Sequence, residues 1–159
     1  MNDLRASALG STTEVDDIHM GYMGRDEIVD SLNELIEAER AGTRTALALH
    51  EVEADSDIRA FVRAFHAEEA HWCGQLIEAV RRLSGRPSER CGDAYEQTMA
   101  ISDPVDRLAF TARGQRRLER KLDCLLPVIR DGGLQTMLRT IRDGHRHNLG
   151  RIRRLVTPR

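Results

Sequence analysis

Glutamate and histidine side chains stand at a few places where helical apolar series lead one to expect hydrocarbon, and these residues have chemistry to offer. Glu39 continues the series Leu32, Leu35/Ile36, Thr43 and Ala46. Glu68 and Glu69 sit between Phe65 and Trp72, with His71 three residues after Glu68 on the same side. Gln115 and Glu119 fall within the series Val105, Leu108, Ala112 and Leu122, and His145 and Asn148 interrupt Leu138, Ile141, Ile152 and Leu155. A buried carboxylate without partners is costly, so inward-facing carboxylates call for hydrogen bonds, counter-charges or a metal. Carboxylate oxygens beside imidazole nitrogens suit iron or manganese, which accept mixed oxygen and nitrogen ligands. The candidate metal ligands are Glu39, Glu68, His71, Glu119 and His145. Read without a metal, the same layer is a buried polar network.

For these side chains to meet, four helices must carry them at similar heights. Ile28, Leu32, Leu35, Ile36, Thr43, Ala46 and Leu47 recur at spacings of three and four, which predicts a first long helix from near Asp26 to near Val52. The polar stretch 53–57 ends it and offers N-caps for a second helix whose stripe runs from Ile58 to Leu83, stopped by Gly85 and Pro87. Asp103-Pro104 is a cap followed by a proline that gives up no helical hydrogen bond, and it opens a third helix that frays near Pro127. After Asp131-Gly132-Gly133 a fourth helix runs to Leu155, and a short helix is expected inside the link at Asp93 to Ala100. No segment alternates at period two, so no strands are expected. A helix of about 26 residues is about 39 Å long. The short links after the first and third helices force antiparallel hairpins, whereas the middle link of about 19 residues can run the length of the bundle. The candidate ligands all fall near mid-helix, where such helices share one layer.

The helical part, residues 26–155, resembles the ferritin-like superfamily, rubrerythrin-type four-helix bundles in particular. In that family a Glu on each of two helices and a Glu-x-x-His on each of the other two hold a di-iron site. Glu39 within Glu39-Arg-Ala-Gly42 resembles the first ligand, Glu68-Glu-Ala-His71 the first Glu-x-x-His, and Glu119 the third-helix ligand. Where the second Glu-x-x-His is expected, the chain has His145-Arg-His-Asn148, which lacks a bridging carboxylate. The segments 68–73 and 83–88 are similar to uncharacterised bacterial proteins of the superfamily. The resemblance implies an all-α bundle over 25–157 with a long crossover between its second and third helices. It further implies iron or manganese, dinuclear or mononuclear, in redox chemistry with dioxygen or peroxide.

Composition bounds the remaining choices. The chain has 159 residues and 40% apolar side chains, enough for one domain with one core. Residues 1–24 mix Gly, Ser, Thr and Asp without a period and are expected to be a mobile tail. They carry acids and no continuous apolar core, so they do not read as a secretory signal, and the cytoplasm is the default location. No apolar run reaches the roughly 20 residues of a membrane span. Cys73, Cys91 and Cys124 form no C-x-x-C pair, so they read as free thiols, and any electrons must come from an electron-donor protein or from the metal ion itself, as in ferroxidase chemistry. Residues 1–103 hold 10 basic and 21 acidic side chains, whereas 104–159 hold 14 basic and 5 acidic. That split fits an anionic partner or two halves of one bundle attracting each other. With 4% aromatic residues and no recognisable binding motif, nucleic acid is disfavoured as the partner. There is no Gly-rich phosphate loop, G-x-S-x-G or H-E-x-x-H motif, so nuclease, hydrolase and transferase readings lack support. The alternative to metal chemistry is a metal-free bundle serving as an interaction or scaffold module, with a homodimer as its simplest assembly.

Overall fold

The computed structural model describes residues 13–157. Helix α1 covers residues 13–19, and the long helices are α2 (Arg25–Val52), α3 (Ser56–Arg82), α5 (Pro104–Leu125) and α6 (Gly132–Val156). The short helix α4 (Ala94–Met99) lies in the link between α3 and α5, and a 3-10 turn at Leu126–Val128 follows α5, where Pro127 ends the helix. No strand occurs among the described residues. The helix starts are where capping chemistry puts them. Asp55 accepts from the backbone N–H of Asp57 and Ile58 at 2.9 and 3.0 Å, Asp103 from that of Asp106 at 3.0 Å, and Asp131 from that of Leu134 at 2.6 Å.

Contacts at the helix ends fix the directions. The Arg25 guanidinium at the start of α2 donates to Leu83 O just past α3. Phe61 near the start of α3 packs with Leu49 late in α2, with Leu108 early in α5 and with Ile152 late in α6. So α2 and α6 run one way and α3 and α5 the other, and the link between α3 and α5 crosses the full length of the bundle. That crossover is tied along α2: Ser88 N–H donates to Asn33 Oδ1 (2.8 Å), Gly92 N–H to Glu37 O (3.0 Å), and Arg40 donates to the Ser88 and Arg90 carbonyls. Helix α4 packs on both α2 and α5.

The turn out of α3 differs in detail from expectation. Ser84 takes the left-handed conformation (φ 57°) that a glycine there would have favoured, while Gly85 is needed for a close approach, since a Cβ on it would lie 2.8 Å from Val29. The amino-terminal segment differs more. Its residues 13–19 are helical rather than a mobile tail, held by Glu14, which accepts from Arg25 N–H at 2.8 Å, by an Asp17–Arg130 ion pair, and by Met23 N–H donating to Val128 O at 2.8 Å. These contacts are long-range and polar, so they leave no apolar period to read. Residues 1–12 of that expected tail lie outside the described residues.

Two apolar clusters fill the bundle. One holds Leu32, Leu35, Ile36, Trp72, Leu76, Leu122, Leu138 and Ile141, the other Ala46, Leu49, Phe61, Phe65, Leu108 and Ile152. On every long helix the break between the clusters falls at mid-length. Trp72 closes the first cluster against α6 at Gly144, where an added Cβ would meet Trp72 Cζ2 at 2.1 Å. Gly114 on α5 has nothing within 4 Å of such a carbon. Gly144→Ala is expected to destabilise the protein by about 1–3 kcal/mol through overpacking, and Gly114→Ala to stabilise it by about 0.5–1 kcal/mol by removing helix-interior glycine. Urea unfolding of the two variants measures both, and equal effects would contradict this packing.

Candidate metal centre

Between the clusters lies a polar layer with Glu39, Glu69, His145 and Asn148 fully buried and Gln115 nearly so. The spacing explains who points inward. On α3 the buried stripe runs Phe61, Phe65, Glu69, Trp72, Leu76, so the residue four after Phe65 and three before Trp72 is Glu69. On α6 it runs Leu138, Ile141, His145, Asn148, Ile152. On α5 only Leu108, Gln115, Leu122 and Leu125 are buried, a narrow seam of sevens.

Within the layer the groups form a chain. Gln115 Nε2 donates to Glu69 Oε1 at 3.1 Å, Gln115 Oε1 lies 2.6 Å from His145 Nδ1, and His145 Nε2 lies 2.8 Å from Glu39 Oε1. An amide oxygen only accepts, so Nδ1 carries a proton. Burial drives Glu39 up to about 8 from its ordinary 4.5 and drives the His145 imidazole down, against the pull of neighbouring carboxylates. Glu69 is raised well above its usual range by burial and by the charge of Glu39, against the opposing pull of His145 and Gln115. The neutral forms therefore prevail at neutral pH. The Glu39 carboxyl donates to His145 Nε2, His145 Nδ1–H donates to Gln115, and Gln115 donates to Glu69. The Glu39 and Glu69 carboxyls also lie within hydrogen-bonding reach of each other, so the protonated pair shares a hydrogen bond beside this chain. Gly42 makes room for Glu69, because a Cβ there would lie 2.0 Å from its Oε2. Trp72 meets the His145 ring edge-on, centroids 4.9 Å apart, and fixes its tilt.

Glu39, Glu69 and His145 each offer a ligand atom within 4.8 Å of the others, the one such group of three or more among the described residues. Of the five ligands expected from sequence, the structure brings Glu39 and His145 together and leaves three outside. Glu68 is partly exposed and pairs with Arg151 at 3.5 Å, one position off the inward stripe. His71 is exposed, two positions past Glu69. Glu119 is partly buried beside the layer and pairs with Arg146 Nε at 2.6 Å, because Gln115 and Leu122 take the inward positions on α5. Glu69 and Gln115 take their places in the layer, and the seven-residue and four-plus-three spacings were the available signal. Ion pairs also join the acidic first half to the basic second half, as between Lys121 and Glu34 and between Arg151 and Glu68.

A family model described as a domain of unknown function, DUF6306, matches residues 26–154. Among solved structures, the chain is similar to ferritin-like, diiron-carboxylate proteins from Bacillus anthracis str. Ames, with a TM-score of 0.72 and 12% identity over 84% of this chain and 97% of that one. It is similar also to a conserved hypothetical protein from Mycobacterium tuberculosis, with a TM-score of 0.72 and 11% identity over 86% of this chain and 96% of that one. No curated protein matches the sequence. At such identities the likeness is one of fold, and the fold is ferritin-like. The di-iron pattern of two Glu and two Glu-x-x-His falls in this layer on Glu39, Glu69-x-x-Trp72, Gln115 and His145-x-x-Asn148, so half of its six positions lack a carboxylate or imidazole. The residues present do not fit a di-iron pair; they fit a single ion.

Glu39 stays protonated to about pH 8 in the folded chain but ionises near 4.5 once unfolded, so stability falls as pH rises between those values. His145 acts oppositely, because its folded pKa is lowered from 6.5: unfolding takes up a proton below that pH, and stability rises toward it. Without metal, Glu39→Gln removes the first effect. Its stability relative to wild type should therefore grow by an amount on the order of a few kcal/mol from pH 5 to 8. Urea unfolding in chelator across that range measures it, and a pH-independent difference would contradict the protonated carboxyl.

Proposed function

The chain belongs to the DUF6306 family, and we propose that it binds a single iron or manganese ion through Glu39, Glu69 and His145 for redox chemistry with dioxygen or peroxide. The observation that carries this reading is the convergence of two carboxyls and an imidazole within 4.8 Å. Two buried carboxyls close enough to share a hydrogen bond are close enough to hold one cation in place of the proton. Loss of the proton shared by Glu39 and His145 frees a carboxylate oxygen and the Nε2 lone pair for the same ion. Gln115 meanwhile holds Nδ1–H and so keeps the ring oriented, as outer hydrogen-bond partners of metal-binding histidines do. Hard and borderline ions such as manganese(II) and iron(II) suit this oxygen-rich set. When bound, the metal supplies one-electron chemistry toward oxygen species; the chain's own groups hold the ion, orient the imidazole and keep the site dry. With no C-x-x-C pair in the chain, electrons come from a separate donor protein.

One observation favours a second reading, a metal-free bundle used as an interaction or oligomeric scaffold module. The Glu39–His145–Gln115–Glu69 chain already satisfies both imidazole nitrogens without an ion.

Elemental analysis of protein purified without chelator, then loaded with ferrous iron or manganese, separates the two. One ion per chain is expected. Glu69→Ala should lose it and Glu68→Ala should keep it. Two ions per chain, or equal loss in both variants, would overturn the assignment. No ion under any loading would leave the scaffold reading.

A further inference from the structure

We propose that a pocket between α2, the α4 crossover and α5, partly open to solvent, binds a neutral organic molecule, about the size of a bicyclic alcohol, whose hydroxyl hydrogen-bonds Thr45. The pocket holds about 350 Å³. An apolar cavity of roughly 150 Å³ already takes benzene. Its walls are mainly hydrocarbon, with Ala38, Phe65, Phe110 and Leu118 among them.

The space follows from side-chain size. Gly42 and Gly114 face each other's helices across it, and a carbon added to Gly114 meets nothing within 4 Å. Helix α4, packed against both α2 and α5, stands between them on this side. The buried face of α5 is accordingly only a narrow seam.

One polar atom gives the pocket a chemical preference. Thr45 lines it, is more than nine-tenths buried, and its Oγ1 has no hydrogen-bond partner. A guest hydroxyl both donates and accepts, so it can serve the Thr45 hydroxyl in either role. With Glu69 neutral, the lining acids Glu34, Glu37 and Asp93 nearly balance the lining cations Arg117 and Lys121, which favours neither an anion nor a cation. Glu34 is paired with Lys121, and Glu37 with Ser88 and Arg90, so the mouth leaves little free negative charge for a cation.

The test uses 2-naphthol, naphthalene, 2-naphthoate and 1-(aminomethyl)naphthalene, titrated by fluorescence and calorimetry into the full chain in chelator at neutral pH. Because no metal is present, failure here is separate from failure of the metal assignment. Saturable binding of one 2-naphthol per chain is expected, at least fivefold tighter than naphthalene, with the two ions weaker than 2-naphthol. Thr45→Val should weaken 2-naphthol about fivefold to tenfold and leave naphthalene unchanged, the effect of one lost hydrogen bond. Gly114→Leu should abolish binding of both neutral probes while thermal unfolding stays at or above the wild-type temperature. Three results would each overturn the proposal: naphthalene binding as tightly as 2-naphthol, either ion binding more tightly than 2-naphthol, or folded Gly114→Leu keeping wild-type affinity.

Discussion

Two carboxyl groups and an imidazole without solvent contact, held in one layer at mid-bundle, are the constraint around which the rest of the molecule is arranged. Their charged forms are too costly in such surroundings, by several kcal/mol per ion. The chain answers by keeping them neutral and linking Glu39 to His145 and His145 through Gln115 to Glu69, so that four polar intrusions, one from each long helix, become donors and acceptors for one another. The geometry needed for this is exacting. Gly42 leaves space for Glu69, and Gly144 lets Trp72 lie against the ring of His145. Apolar clusters pack on both sides of the layer.

The same arrangement explains how a ferritin-like bundle can depart from a two-metal centre without losing its fold. The helices pack through the clusters above and below the layer, so the layer itself is free to change composition as long as its groups remain satisfied. Trp72 and Asn148 stand where imidazoles are expected, and Gln115 where a carboxylate is expected. An amide at 115 both accepts from His145 and donates to Glu69, which a carboxylate cannot do. The amide at 115 thus orders two of the three groups that could hold an ion.

Much of this architecture was legible in the residues. The Asp103-Pro104 cap, the polar stretch 53–57, the break at 131–133 and stripes at spacings of three and four mark the four long helices, and the length of the middle link allows the crossover. Local rules carry that information, because caps and stripes depend on neighbours within one turn. The site was partly legible. Glu39 and His145 continue their stripes, but adjacent Glu68 and Glu69 differ by only about 100° around α3, and the resemblance of Glu68-x-x-His71 to a ligand motif favours the wrong neighbour for burial. Glu119 falls within the apolar series of α5 read at spacings of three and four, although its position is adjacent to the buried seam rather than on it. The helix at 13–19 rests on contacts to Arg25 and Arg130, far away in sequence. No local pattern announces such contacts.

The central claim is that His145 is a neutral imidazole with its proton on Nδ1 and a lone pair on Nε2 turned toward Glu39. Nitrogen-15 spectra of the histidine side chains in metal-free protein at neutral pH, with His145 assigned through His145→Gln, test this directly. The account predicts one protonated nitrogen, coupled to the slowly exchanging Nδ1 proton, and one nitrogen in the unprotonated range. Two protonated nitrogens would mean an imidazolium paired with a buried carboxylate, and would contradict it.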